Sequence, residues 1–347
     1  MTARDRRHVA AWLFACAALA FLVVLIGGVT RLTRSGLSIV EWQPLVGALP
    51  PLSQADWEAL FAKYRETPEF RQVNFSMTLE GFKRIFWWEY IHRLLARLIG
   101  VVFLLPYLYF LVRKSLDRPL ACKLGGIFLL GALQGMVGWY MVKSGLVDDP
   151  KVSPVRLTMH LGLALAVFSA ELWLAMQLLA PKRRFDGFAL FMPLIVFLMA
   201  LSGGMVAGLR AGYAYNTFPL MNGHIVPPEV MLLEPWWRNF VYNMATVQLV
   251  HRAFFWALAV LVLIAWWRHR RSAAANALLL AFAAQASLGI ATLLNGVPIP
   301  LGAAHQGGAV LVLAAALWYT HSAVHRKAAR HAQHLAGDEV GVVAREK

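Results

Sequence analysis

Eight apolar runs, each long enough to cross a lipid bilayer, decide most of what this chain can be. They fall at about 9–29, 88–112, 120–142, 155–179, 188–210, 243–267, 274–294 and 300–321. A membrane-crossing helix needs roughly 20 mostly apolar residues. In lipid, backbone polar groups must be satisfied within the segment, so such runs become helices rather than loops or open sheet. Composition agrees: 59% of the 347 residues are hydrophobic and 15% are charged. A soluble domain is nearer about half and about a quarter. The expected fold is an all-α membrane protein with eight transmembrane helices. The first run is long, and no A-x-A-like small-residue site follows it. It is read as a retained helix and not as a cleaved signal.

The net charge of +15 on its own would suit a nucleic-acid partner. Its distribution excludes that. The N-terminus, the segments 113–123, 182–186 and 268–271, and the C-terminal tail hold 18 Lys/Arg and 6 Asp/Glu, a balance of +12. The alternate loops hold 12 and 10, a balance of +2. This is the positive-inside pattern. It predicts cytoplasmic N- and C-termini and the lipid bilayer as partner, and the expected location is the cell inner (plasma) membrane. The two cysteines, Cys16 and Cys122, imply neither a disulfide framework nor a thiolate metal site.

The chain reads as two copies of one unit. YIHRLLARLIG in the second span is similar to LVHRAFFWALA in the sixth, QGMVG in the third to QASLG in the seventh, and TMHLGLALAVF in the fourth to AAHQGGAVLVL in the eighth. Gly27-Gly28 and Gly203-Gly204 correspond in the first and fifth. Each half has four spans, so both enter the membrane in the same sense, as a parallel repeat. The expected units are two parallel four-helix bundles. One covers 1–180 with a long periplasmic loop at 30–86, the other covers 181–322, and a basic cytoplasmic tail covers 323–347. Within the long loop, PLSQADWEALFAKY predicts a short amphipathic helix capped by Ser53, carrying Trp57, Leu60, Phe61 and Tyr64. In the counterpart loop, PPEVMLLEPWW reads as an interfacial segment with tryptophan anchors.

Seven of the eleven histidines lie in termini or loops. The other four, His92, His160, His251 and His305, sit one each on the even-numbered spans. Each is roughly 5 to 9 residues from the outer start of its helix, about 7–13 Å deep. Four imidazoles therefore share one layer. A lone membrane histidine is more often a hydrogen-bonding group between helices. Two per repeat at one depth instead match two bis-histidine haem sites inside four-helix bundles. Zinc or copper lacks carboxylate or thiolate company.

Charges within spans usually face an interior site. Arg93 and Arg252 each follow a histidine, and Arg97 lies one turn beyond Arg93. Guanidinium suits haem propionates, and snorkelling to the headgroups is the competing reading. The halves differ at one place. Glu89 precedes His92 by three residues, where Gln248 precedes His251. A titratable group beside one haem and an amide beside the other predict one reactive site and one electron-transfer or structural site. The competing reading pairs Glu89 with a nearby arginine. Glu171, eleven residues after His160, is read as a structural hydrogen-bonder.

The segments EYIHRLLAR, TMHLGLA, QLVHR and AAHQ, with GGVTRLTRSGLSIVEWQPLVGALPP after the first span, resemble the haem A synthase family, in its proteobacterial and mitochondrial style. The resemblance covers roughly residues 10–322. It implies oxidation of the C8 methyl group of haem O to a formyl group, giving haem A for cytochrome c oxidase, through an alcohol and a hydrated aldehyde. It implies that His92 and His160 hold the substrate haem O, that Glu89 is the catalytic carboxylate, and that His251 and His305 ligate a haem B. Haem O synthase, oxidase assembly factors and an external electron donor are the implied partners. The outer-loop cysteine pair of some family members is absent from this sequence.

Two rivals remain at this stage. A dihaem b-type membrane cytochrome explains four histidines but not the difference between Glu89 and Gln248. A transporter built from parallel repeats calls for polar groups and broken helices near the midplane, where this chain has few. Gly-rich faces in the third and fifth spans permit close packing within the chain or between copies in a homo-oligomer.

Overall fold

The computed structural model describes residues 1–42, 46–147, 150–180 and 187–343, with Val46 and 324–343 as backbone only. The basic segment 182–186 and the tail side chains beyond 323, which enter the charge argument, lie outside the described residues. Among the described residues eight helices are long and apolar enough to span a membrane. They are α1 (Ala3–Leu32), α4 (Leu79–Val112), α5 (Arg118–Lys143), α6 (Pro154–Leu179), α7 (Gly187–Leu209), α9 (Met244–His269), α10 (Ala273–Leu294) and α11 (Ile299–Val343, apolar to Ala323). Short helices α2 (Gln54–Arg65), α3 (Pro68–Gln72) and α8 (Asn239–Tyr242) lie in the two long loops. Among the described residues no strand forms, an isolated Met221–His224 bridge aside. The chain is a multi-pass membrane protein.

The starts of these helices are written locally. Thr2, Thr78, Asp117, Ser153 and Asn243 each accept a first-turn N–H at their helix N-terminus, satisfying donors that the helix leaves open. Pro106 and Pro193 sit inside α4 and α7, which membrane helices tolerate because neighbours satisfy the freed groups. Helix α4 has 34 residues, about 51 Å, against a hydrocarbon core of about 30 Å. Its first turns therefore stand clear of the bilayer. There α2, with the capping box that Ser53 and Asp56 form, lays Trp57, Leu60, Phe61 and Tyr64 on Phe82, Phe86 and Tyr90. This aromatic cluster roofs the first half.

Helices α1, α4, α5 and α6 touch in sequence and close into a ring, since α6 also runs along α1. Helices α7, α9, α10 and α11 close in the same way, with α11 against α7. The rings meet along a seam where α6 packs on α7, α1 on α11 and α6 on α11. Exchanging the first four helices for the second four leaves this neighbour pattern unchanged. Ala17, Leu165, Val196, Leu258 and Leu313 belong to one core that spans the seam. A second core, with Leu13, Phe103, Leu124 and Ala175, plugs the first ring on the side where the chain begins.

Toward the opposite side, where the long loops lie, the rings are not plugged. Between Tyr90 and Phe103, α4 has no buried residue, nor has α5 after Ile127, nor α10 between Leu278 and Thr292. Roughly three turns of helix present every face, so the inward faces there are no more than partly buried. The four span histidines lie in this unplugged layer.

Candidate active site and metal centres

Each of the four histidines is half-buried and lies against a glycine of the preceding membrane helix. A Cβ built on Gly27 would lie 2.8 Å from Cε1 of His92, and one on Gly138 2.7 Å from Cε1 of His160. The distances are 3.3 Å for Gly203 against His251 and 2.7 Å for Gly289 against His305. The odd helix of each hairpin gives up its side chain so that the even helix can lay an imidazole on its backbone. The histidines of one ring come from helices that are not ring neighbours, α4 with α6 and α9 with α11. They still lie within electrostatic range of one another, His92 of His160 and His251 of His305.

The two nitrogens of each ring differ. Nδ1 of His92, His160 and His305 is buried. Backbone carbonyls of Val23, Gln134 and Gln285, each one turn before the backing glycine, lie beside these rings. They are the acceptors placed to take an N–H from those rings. Nδ1 of His251 lies 2.8 Å from Ser202 Oγ. Nε2 of all four is neither hydrogen-bonded nor enclosed, and so is the nitrogen left open to a ligand. Among the described residues no group of three or more His, Cys, Asp or Glu forms a metal cage; two axial imidazoles do not need one.

Glu89, one turn before His92, is buried at 2% exposure. Its Oε1 accepts from Arg93 Nη2 at 2.7 Å. Its Oε2 accepts from the Ser38 hydroxyl at 2.7 Å and the Ile39 N–H at 2.9 Å. Arg93 also donates to the carbonyls of Ile39 (2.8 Å) and Glu41 (3.1 Å). The loop after α1 is thus pinned over His92. The second ring repeats this with a neutral residue. Gln248 Oε1 accepts from Arg252 Nη2 at 3.0 Å, and its Nε2 donates to the Ala211 carbonyl at 2.8 Å. Arg252 donates further to the carbonyls of Tyr215, Thr217, Pro219 and Leu220. Its Nε is buried without a partner. Arg97, with Tyr90 and Arg93, lines a cavity of about 60 Å³ under the same loop.

Glu171 is buried at 1% exposure, with Oε2 lacking a hydrogen bond and Cys16 within electrostatic range. By the His160–His305 correspondence its counterpart is Ala316. Both buried acids of the spans therefore fall in the first ring. Outside the spans, Glu69 on α3 is also buried. Tyr64 donates to it at 3.3 Å. Burial pushes its carboxyl up to about 7, with the charge of Glu89 adding and Tyr64, Arg34 and Arg210 opposing.

The structure brings His92 near His160, with Glu89 and Arg93 bonded to each other beside His92 and Arg97 on the same cavity, and His251 near His305, with Gln248 and Arg252 bonded beside His251. Sequence reasoning missed Ser38, Ser202 and the use of the glycines. The GG and Q-x-x-x-G repeats were the available signal.

Fold and geometry together define a class: a polytopic helical membrane protein with two pairs of imidazoles, one in each ring of helices, and a carboxylate beside one pair. The COX15-CtaA family profile, described as "Cytochrome oxidase assembly protein", matches residues 10–317. A protein named "Heme A synthase" from Nitrosospira multiformis is 57% identical over 332 residues, covering 91% of this chain and 93% of its own. One of the same name from Nitrosomonas eutropha is 51% identical over 332 residues, with 91% and 93% covered. Another, from Parvibaculum lavamentivorans, is 46% identical over 327 residues, with 91% and 95% covered. The chain belongs to the COX15-CtaA family.

Proposed function

We propose that this chain is a haem A synthase, which oxidises the C8 methyl group of haem O to a formyl group and so makes haem A for cytochrome c oxidase. One observation carries this beyond the family: two like imidazole pairs, with a carboxylate, Glu89, beside one and an amide, Gln248, beside the other. The residues fit a flat macrocycle. The Nε2 atoms make no hydrogen bond, and each imidazole is laid against a glycine that leaves room for it.

In this reading His92 and His160 hold the substrate haem O. His251 and His305 hold a haem B, which supplies one-electron transfer when bound. Glu89 is the proton-handling group. It takes the proton that the substrate gives up, and the Ser38 hydroxyl and Ile39 N–H, which donate to Oε2, hold its carboxylate in place. Arg93 and Arg252 clasp the outer loops over the two sites. Arg93, Arg97 and Arg252 are read as the residues facing haem propionates, with Arg252 Nε a buried donor not already bonded. The halves are parallel repeats, the termini are cytoplasmic and the membrane is the cell inner membrane. Haem O synthase, oxidase assembly factors and an external electron donor are the expected partners.

The test is to express the chain with a haem O supply, purify it in detergent, extract the haems and separate them. Haem B together with haem O or haem A is expected. Glu89→Ala is expected to keep its haems and stop haem A formation; full turnover in that variant removes Glu89 from the mechanism. Two copies of haem B, with no haem A in the membranes, would establish the dihaem electron carrier instead.

A further inference from the structure

The two rings carry the same amide and use it differently. Gln134 on α5 and Gln285 on α10 stand four residues before the glycines that back His160 and His305. In the second ring Gln285 Nε2 donates to the His305 carbonyl at 2.7 Å. Its Oε1 is pressed on Gly308, where a Cβ would overlap it. The amide is folded onto α11, and it has room there only because residue 308 has no side chain. By the His160–His305 correspondence, the residue in the place of Gly308 in the first ring is Leu163. A Cβ in that place excludes the folded amide. Gln134 accordingly does not reach the His160 carbonyl. Its Oε1 is buried without a partner, and its Nε2, also unbonded among the described residues, is not closed off. One amide serves the fold, and the other is left over.

We propose that Gln134 is a specificity-determining residue of the first ring, whose amide bonds the hydroxyl by which haem O differs from haem B. This rests on the reading above that His92 and His160 hold haem O. Haem O carries a hydroxyl and a long isoprenoid tail where haem B has a vinyl group. That substituent lies on the half of the macrocycle away from the propionates. In the reading above the propionates face Arg93, toward the long loops. Gln134 lies on the other side of the His160 level, four residues or about 6 Å further from the loops along α5. That step is comparable to the distance from the iron to the edge of the macrocycle. A hydroxyl both donates and accepts, so it satisfies the amide whichever end faces it. A vinyl group satisfies neither end. A site with a polar group that needs a hydroxyl rejects the analogue lacking one, because the group is then left unpaired. The second ring has its amide already bonded, and it takes the vinyl-bearing haem B.

The experiment is extraction and chromatographic separation of the haems from the purified full chain, made in cells in which the ratio of haem O to haem B is varied. The readout is the ratio bound, haem O plus haem A over haem B, against the ratio supplied. In Gln134→Leu the first ring should accept haem B, and its preference for haem O should fall about five- to tenfold with total haem unchanged. Leu163→Gly opens the space that Gly308 leaves in the second ring, so Gln134 can fold onto α6. The preference should fall likewise, although the amide is still present. Leu163→Ala keeps a Cβ in that space and should hold the preference of the parent. This pair decides the question even where Gln134→Leu does not accumulate. An unchanged preference in a fully loaded Gln134→Leu, or the same preference in Leu163→Gly and Leu163→Ala, overturns the proposal. Haem O retained in His160→Ala is a separate failure, because it removes the site assignment and leaves Gln134 no substrate to select.

Discussion

Adding one methyl group at Gly289 should separate haem retention from folding. The new Cβ would sit 2.7 Å from Cε1 of His305. Carbon–carbon contacts relax at about 3.5 Å or more, so the imidazole must move by about 0.8 Å. In haem-free protein that movement is cheap, because the ring is the free end of a side chain and swings toward open space. Once Nε2 is engaged by a metal the ring is held from both sides. The overpacking penalty of about 1–3 kcal/mol then falls on the loaded form alone. That corresponds to haem held roughly 5- to 150-fold less tightly. Gly27→Ala and Gly138→Ala meet the same contact at 2.8 and 2.7 Å and should behave alike. Gly203→Ala starts at 3.3 Å and should lose less than about fivefold. The assay is haem transfer from each variant to an excess of a haem-scavenging protein, beside the Tm of the haem-free form. Two results refute the reasoning. One is a Gly289→Ala variant that holds haem like the parent. The other is a haem-free Tm that falls in step with haem loss, which would make these glycines helix-packing devices and nothing more.

Three further outcomes are expected. Glu69 has a folded carboxyl near 7 against an ordinary 4.5, so the native state binds more protons than the unfolded state between these values. Its contribution is full below pH 4.5 and falls away as pH rises through 7, by at most about 3 kcal/mol; Glu69→Gln should flatten that part of a Tm-against-pH curve, and an unchanged slope counts against the buried carboxyl. Gln248→Glu puts an oxygen against the Ala211 carbonyl that Nε2 now donates to at 2.8 Å, and thermal stability should drop by about 1–3 kcal/mol; a variant as stable as the parent would refute the fixed polarity of that contact. A reporter fused to the C-terminus should read cytoplasmic, and a signal from the other side would break the orientation.

The eight spans were legible because lipid permits so few structures that length and apolarity alone select the helix. The nearness of His92 to His160 and of His251 to His305 agrees with a depth counted in residues at a fixed helical rise. Pairing was legible only as a possibility, since which helices become ring neighbours depends on packing along α1, α6, α7 and α11. The arginines show where pattern reasoning stops. Arg93 and Arg252 stand beside histidines in the sequence, which suggested anionic cofactor groups. In the fold, most of their donors are taken by carbonyls of residues 39–41 and 215–220. Irregular loop backbone has no periodicity from which a carbonyl direction can be read. Ser202 was hidden for a related reason: a serine beside a glycine in an apolar helix signals nothing until a ring is seen to lie on that glycine.

The contrast between Glu89 and Gln248 has a physical cause that precedes any chemistry. The loop after α1 turns donors toward the helix, the Ser38 hydroxyl and the Ile39 N–H, and a carboxylate with two accepting oxygens satisfies them together with Arg93. The loop after α7 turns the Ala211 carbonyl toward the helix, so the residue there must both donate and accept, and an amide does so. Each side chain is the one that leaves no buried polar group of its own unmatched. Backbone polarity in the outer loops therefore dictates which ring carries the acid. It follows that Glu89→Gln is not a neutral probe. Its NH2 must face either Arg93 or the donors at 38–39, leaving a mismatch of about 1–3 kcal/mol. A loss of turnover in that variant mixes proton chemistry with a loosened loop. Glu89→Ala, which leaves room for water at both donor sets, together with protease sensitivity of residues 38–41 as a readout of the loop, tells the two apart.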